Sequence, residues 1–276
     1  MIRDITIGQY YKADSVIHRL DPRVKLMGTL IFIISLFMGM NIWIYAVVTV
    51  ALVVVIKMSR IPLKFMVRGL KSIVILIIIS AVFNLFLTPG DVLIQIWKLT
   101  ITYQGLKMAI FMVVRLIYLI VGTSLMTLTT TPNNLTDGLE KGLGFLKVIK
   151  VPVHEIAMMM SIALRFIPIL IEETDKIMKA QMARGADFEH GNIIKRAKSM
   201  VPLLVPLFVS AFRRADDLAM AMEARCYNGG EGRTKMKPLV YEKDDKIAYL
   251  FIFAFLAVVI VLRILLPVNL GNLIFR

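Results

Sequence analysis

Residues 26–56 read LMGTLIFIISLFMGMNIWIYAVVTVALVVVI, 31 positions between Lys25 and Lys57 without one charge. One membrane-crossing helix needs about 20 apolar residues. The stretch is therefore either one over-long span or a tight hairpin of two short ones, broken at Met38-Gly39-Met40-Asn41. Charge decides for the hairpin. Arg3, Lys12, Arg19, Arg23 and Lys25 precede the stretch, and Lys57, Arg60, Lys64, Arg68 and Lys71 follow it. Lys and Arg collect on the cytoplasmic side. A single span would put these two basic segments on opposite faces; two spans keep both inside. Short arms imply a locally thinned bilayer or an unusual tilt.

Further uncharged windows carry the pattern outward. A third span is expected from about Ser72 to Leu87, then an external loop over 88–107, then a fourth span from about Lys107 to Thr129. Residues 130–246 hold 18 Lys+Arg and 15 Asp+Glu and read as cytoplasmic. A fifth span near 247–266 exits the membrane. The fold class predicted is all-α: a polytopic membrane protein of about five transmembrane helices with a cytoplasmic region of three helices, two of them long. The expected divisions are 1–129, 130–246 and 247–276, with the N-terminus cytoplasmic and the C-terminus external.

Composition agrees. The 276 residues are 58% hydrophobic and 19% charged, with a mean hydropathy of +0.76. Soluble domains average roughly 45–50% apolar and about 25% charged. The net charge of +14 would suggest nucleic acid in a soluble protein. Here it is what a positive-inside bias produces, and no nucleic-acid partner is expected. The first 25 residues are polar and mixed, without the apolar core of a signal peptide.

Catalytic and metal chemistry find no foothold. Cys226 is the one cysteine, and His18, His154 and His190 are scattered; together they offer no zinc ligand set. His154-Glu155 begins like a zincin motif, but no second His follows four residues after the first. Gly-Gly-Glu-Gly-Arg-Thr-Lys at 229–235 lacks the Gly-x-x-x-x-Gly-Lys-Ser/Thr order of a phosphate loop and reads as a flexible exit. No catalytic residue, cofactor or metal is assigned, and the chain is not read as an enzyme. Arg115 and Arg263 are placed near predicted span ends.

The organisation lies in 130–246. A short helix is expected over about 133–143. Pro152 opens a long helix with apolar residues at Ile156, Met159, Met160, Ala163, Phe166, Ile167, Leu170 and Ile171, ending at Ala183-Arg184-Gly185. A second covers roughly 191–226 and ends at Ala224-Arg225-Cys226. An offset of 41 residues superposes Asp175 on Asp216, Ala180 on Ala221, Ala183 on Ala224 and Arg184 on Arg225. Two readings stay open. An arginine at a helix C-terminus interacts favourably with the helix dipole; alternatively, the pair are cationic tips aimed at two similar carboxylate acceptors, which suit the guanidinium fork. Methionines 158, 159, 160, 178, 182, 200, 220 and 222 serve as core gap-fillers or as surface that slides and rebinds.

The sequence resembles the transmembrane T component of energy-coupling factor (ECF) transporters, relatives of ABC transporters. The resemblance covers essentially the whole chain. It rests on Leu20-Asp21-Pro22-Arg23-Val24-Lys25, on Leu128-Thr129-Thr130-Thr131-Pro132 leading into Leu135-Thr136-Asp137-Gly138-Leu139-Glu140, on Ala163-Leu164-Arg165-Phe166-Ile167-Pro168, and on the two Ala-Arg-Gly-like helix ends. The second end departs, with Cys226 where the pattern has Gly. The resemblance implies a non-catalytic coupling subunit in a prokaryotic plasma membrane. It would join two cytoplasmic ABC-type ATPases, which bind the ATP, to a membrane S component that captures a vitamin or other micronutrient. Ala183, Arg184, Gly185, Ala224, Arg225 and Cys226 would dock the ATPases. The competing readings are a secondary transporter, which usually shows inverted repeats meeting at mid-membrane, and a membrane scaffold without ATPase partners.

Overall fold

A computed structural model describes residues 10–39, 41–96, 99–186, 188, 192–229, 236 and 238–266. Its helices are α1 (Val16–Arg19), α2 (Pro22–Phe37), α3 (Ile42–Ser59), α4 (Leu63–Leu87), α5 (Tyr103–Thr129), α6 (Pro132–Gly142), α7 (Val153–Ala183), α8 (Ile193–Glu223) and α9 (Lys243–Leu265). Two strands, β1 (Val92–Ile96) and β2 (Leu99–Thr102), lie between α4 and α5, and a 3-10 segment spans Gly144–Ile149. The described residues divide into two compact units: 10–138 with 239–266, and 139–238.

In the first unit the expected hairpin is present. α2 stops at Phe37, and Asn41 caps α3 by accepting the Trp43 N–H at 3.1 Å. The Asn41 amide also donates to the Leu266 carbonyl at the end of α9. Three differences from the sequence reading follow local chemistry. α4 begins at Leu63 rather than near Ser72, because Leu63, Phe65, Met66, Val67 and Leu70 interleave with the cations at helical spacing. Its two parts, Leu63–Lys71 and Ile73–Leu87, meet at a 63° bend. The expected loop 88–107 contains an antiparallel pairing of β1 with β2, whose alternating Ile, Leu and Thr residues suit a strand. α5 starts at Tyr103, capped by Thr102, which accepts the Gly105 N–H at 3.0 Å.

α5 is the hub of this unit. Leu52, Ile61, Met66, Val121, Leu125 and Leu128 form one buried cluster; Leu36, Ile44, Tyr45, Val48 and Val259 form another. In lipid, apolar burial gives little drive for helix association, and close packing carries more. Gly122 shows this: a Cβ built there would lie 2.5 Å from the Phe32 ring, so α2 and α5 touch through the missing side chain.

Asp21 and Lys25 together tie helix ends to one another. The Asp21 carboxylate caps α2 by accepting the Arg23 N–H at 2.8 Å and takes both Nε and Nη2 of Arg23. The Asp21 N–H donates to Asp245 Oδ1, and Asp245 Oδ2 accepts the Glu242 N–H at the start of α9. Lys25 Nζ donates to the carbonyls of His18 and Thr129, each at 3.0 Å, which ties in the end of α5. Arg23 also stacks 3.7 Å over the Tyr241 ring.

Among the described residues, α3, α5, α7 and α9 are each long and apolar enough to cross a membrane, and α4 is a fifth if its bent halves form one span. The chain is an all-α polytopic membrane protein. This length criterion takes in α7 and leaves out α2, whose 16 residues rise about 24 Å against a hydrocarbon core of about 30 Å. Arg115 corrects the sequence reading. It lies mid-way along α5, not near an end, and is buried, with Nε donating to Tyr45 Oη at 3.0 Å.

Candidate coupling site

α7 and α8 make up most of the second unit. Val153–Ala183 matches the expected helix after Pro152, and Ile193–Glu223 lies within the expected 191–226. α7 runs unbroken through Pro168 and α8 through Pro202 and Pro206. A proline has no N–H to give the carbonyl four residues before it, so Pro206 leaves the Pro202 carbonyl without a helical donor. The Gln181 side-chain amide of α7 approaches that carbonyl at 3.4 Å. Further along, Arg214 Nη2 of α8 donates to Glu173 Oε2 of α7 at 2.6 Å. Residue 173 facing 214 and 181 facing 202 means that the helices cross in antiparallel sense. The last turn of α6 is fastened to α7 by His154 Nδ1 and Glu140 Oε1 at 2.9 Å.

Both helices end in the same turn. After α7, the Gly185 N–H bonds to the Met182 carbonyl and the Ala186 N–H to the Gln181 carbonyl, each at 3.0 Å, with Gly185 at φ +88°. After α8, the Cys226 N–H bonds to Glu223 at 2.8 Å and the Tyr227 N–H to Met222 at 3.0 Å, with Cys226 at φ +55°. Each is a Schellman closure with its left-handed residue immediately after the arginine. Cys226 therefore occupies the position that Gly185 occupies, and the two Ala-Arg ends are superposable in bonding as well as in sequence.

Ala183, Arg184, Gly185, Ala224, Arg225 and Cys226 are all exposed. Among the described residues neither Arg184 nor Arg225 has an ion-pair partner. The two tips do not come together: the antiparallel crossing sends them to opposite ends of the helix pair. Each arginine lies eleven residues beyond its member of the Glu173–Arg214 bridge, a rise of roughly 16 Å. α8 also carries an exposed apolar row at Val201, Leu204, Val205, Phe208, Val209 and Phe212, and α7 exposes Ile156, Met159, Met160 and Ile167.

A family model described as cobalt transport protein, CbiQ, matches residues 13–236. The chain is 58% identical over 249 residues to an energy-coupling factor transporter transmembrane protein EcfT of Thermosediminibacter oceani, covering 90% of this chain and 94% of the relative. It is 54% identical over 266 residues to the protein of that name from Clostridium kluyveri, covering 96% and 98%. It is 47% identical over 264 residues to that from Bacillus subtilis, covering 95% and 100%. The chain belongs to this family of ECF-transporter T components. It is thus the transmembrane component of an ECF transporter and a multi-pass membrane protein, a transport role rather than an enzymatic one.

Several features of this T component escape sequence reading. The Gln181–Pro202 contact had a visible signal, two prolines four apart in a helix, which free a carbonyl. The Asp21–Asp245 bond had none, because 224 residues separate its ends. The sequence pattern sets Arg115 near a span end because an uncharged window ends at any cation, wherever the helix continues.

Proposed function

We propose that the chain couples ATP hydrolysis by two cytoplasmic ABC-type ATPases to micronutrient uptake through an S component. One ATPase docks at Ala183-Arg184-Gly185 and the other at Ala224-Arg225-Cys226. The observation that carries this reading is the repeated turn: two exposed guanidiniums, each presented just before a left-handed residue and each unpaired within the described chain. Two like tips suit two like acceptors, and a carboxylate-lined groove on each ATPase would supply the bidentate partner. Residues 130–246 are cytoplasmic in this scheme, and the N-terminus is cytoplasmic and the C-terminus external. α2, α3, α4, α5 and α9 span the bilayer. The S component rests on the apolar rows of α7 and α8, where methionine-rich surface tolerates sliding. ATP-driven closure of the ATPase pair moves the tips, and the crossing helices pass that motion to the S component.

The Arg184→Glu/Arg225→Glu variant tests the reading. It is expected to insert normally, to fail to bring down the ATPases and to abolish uptake. Undiminished recovery of both ATPases would overturn the docking assignment. Recovery of no ATPase by the unaltered chain would favour the scaffold or secondary-transporter reading.

A further inference from the structure

A cavity of about 560 Å³ lies in the first unit between the beginnings of α3 and α5. Asn41, Ile42 and Tyr45 line it from α3, and Tyr103, Lys107 and Ile110 from α5. Its volume falls within the range of small-ligand pockets, about 300–1,000 Å³. Ile42, Tyr103 and Ile110 are more than half exposed, so the mouth opens on the outer surface of the helices, where lipid is the solvent. Trp43 and Tyr103, both largely exposed at the first turns of α3 and α5, mark this level as the headgroup boundary, where aromatic side chains concentrate.

The lining is apolar except at its rim, and the charge there is of one sign. Lys107 is half-buried, and among the described residues its ammonium has no carboxylate or hydrogen-bond partner. One side of the wall is Tyr45, whose hydroxyl accepts from the buried Arg115. Arg115 also has no carboxylate partner among the described residues; it sits 5.2 Å over the Phe37 ring. Charges out of water are ordinarily paired. Here an apolar slot, open to the bilayer, has an unpaired cation at headgroup depth and a second cation behind its wall.

We infer that this cleft between α3 and α5 is a binding site for one anionic phospholipid, its acyl chain in the slot and its phosphate on Lys107. The acyl chain fills volume that would otherwise be void next to lipid. The headgroup supplies the anion that the protein lacks. A zwitterionic lipid carries the same phosphate but brings its own cation, which competes with Lys107.

Single-tryptophan chains test this. With Trp43 and Trp97 replaced by Phe, Ile110→Trp places a reporter in the cleft, and Val50→Trp places one on the exposed side of α3 away from it. The full-length chain is reconstituted in vesicles of phosphatidylcholine and phosphatidylglycerol, with bromine carried on one lipid or the other. At position 110, phosphatidylglycerol should be preferred by about fivefold, the worth of one lysine near the surface. The preference should fall to near unity with Lys107→Gln and persist with Lys107→Arg. Position 50 should show none. Equal preference at both positions, no preference at 110, or a preference unchanged by Lys107→Gln would each overturn the site.

Discussion

Glu173 and Arg214 meet across the α7–α8 crossing, Oε2 to Nη2 at 2.6 Å, and they are equivalent residues. The offset of 41 that lays Arg184 on Arg225 also lays Glu173 on Arg214. The bridge therefore sits at the pseudo-twofold point of the helix pair, equidistant along the chain from the two tips. On the proposed coupling, a crossing held there would let both tips move by like amounts about one pivot.

Breaking that pivot should uncouple without unfolding. Glu173→Gln and Arg214→Gln should each lower uptake several-fold while ATPase recovery stays normal. The exchanged pair Glu173→Arg/Arg214→Glu should regain much of the loss, since it restores opposite charges at this half-buried crossing. Uptake at matched expression, with ATPase pull-down alongside, checks this. Equal defects in the single and exchanged variants would remove the bridge from the account.

Cys226 sits at φ +55°, a conformation that costs a non-glycine residue about 1 kcal/mol relative to Gly. Cys226→Gly should be neutral or stabilising by up to about 1 kcal/mol, and Gly185→Ala should cost a similar amount. Thermal unfolding of the purified chain reads both. Uptake by Cys226→Ser should equal that of the unaltered chain.

Gly122 and Phe32 form a steric pair. Gly122→Leu should destabilise the first unit by about 1–3 kcal/mol through overpacking, and Phe32→Ala should relieve part of that cost in the double variant. A double-variant cycle on thermal stability tests it; strict additivity would contradict the contact.

Asp21 gives a pH dependence. Burial alone would raise its pKa, but the Arg23 side-chain and backbone hydrogen bonds outweigh it and hold the carboxyl below its usual value. Such a group stabilises the fold above its unfolded pKa, near 4, and that stability is lost as pH falls through the folded value. Asp21→Asn keeps a capping side chain but removes the charge. It should melt lower than the unaltered chain at pH 7, with the gap closing towards pH 3. A gap of constant size would mean that Asp21 acts as a cap alone.

The spans were legible where charge and apolar length speak together. Asn41 and the uncharged run around it gave the hairpin, and Pro152 and Ala183-Arg184-Gly185 gave the bounds of α7. What stayed hidden was long-range or depended on backbone angle. No periodicity shows that Asp21 bonds Asp245, or that Arg115 lies deep in α5 against Tyr45. At the second tip the sequence could state the question, Cys in place of Gly, but only the backbone shows that Cys226 takes the left-handed turn. The strand pair at 92–102 was masked by its brevity, because short apolar runs between turns read equally as loop.

The central claim, that the two helix ends are two ATPase docking points, is tested most directly by site-specific photocrosslinking in the assembled transporter. A photoreactive residue at position 183 and one at position 224 should each yield an adduct with an ATP-hydrolysing subunit, mapped to like grooves. The same residue at Val201, on the apolar row of α8, should mark the S component instead. Absence of ATPase adducts at 183 and 224, or their appearance at 201, would contradict the account.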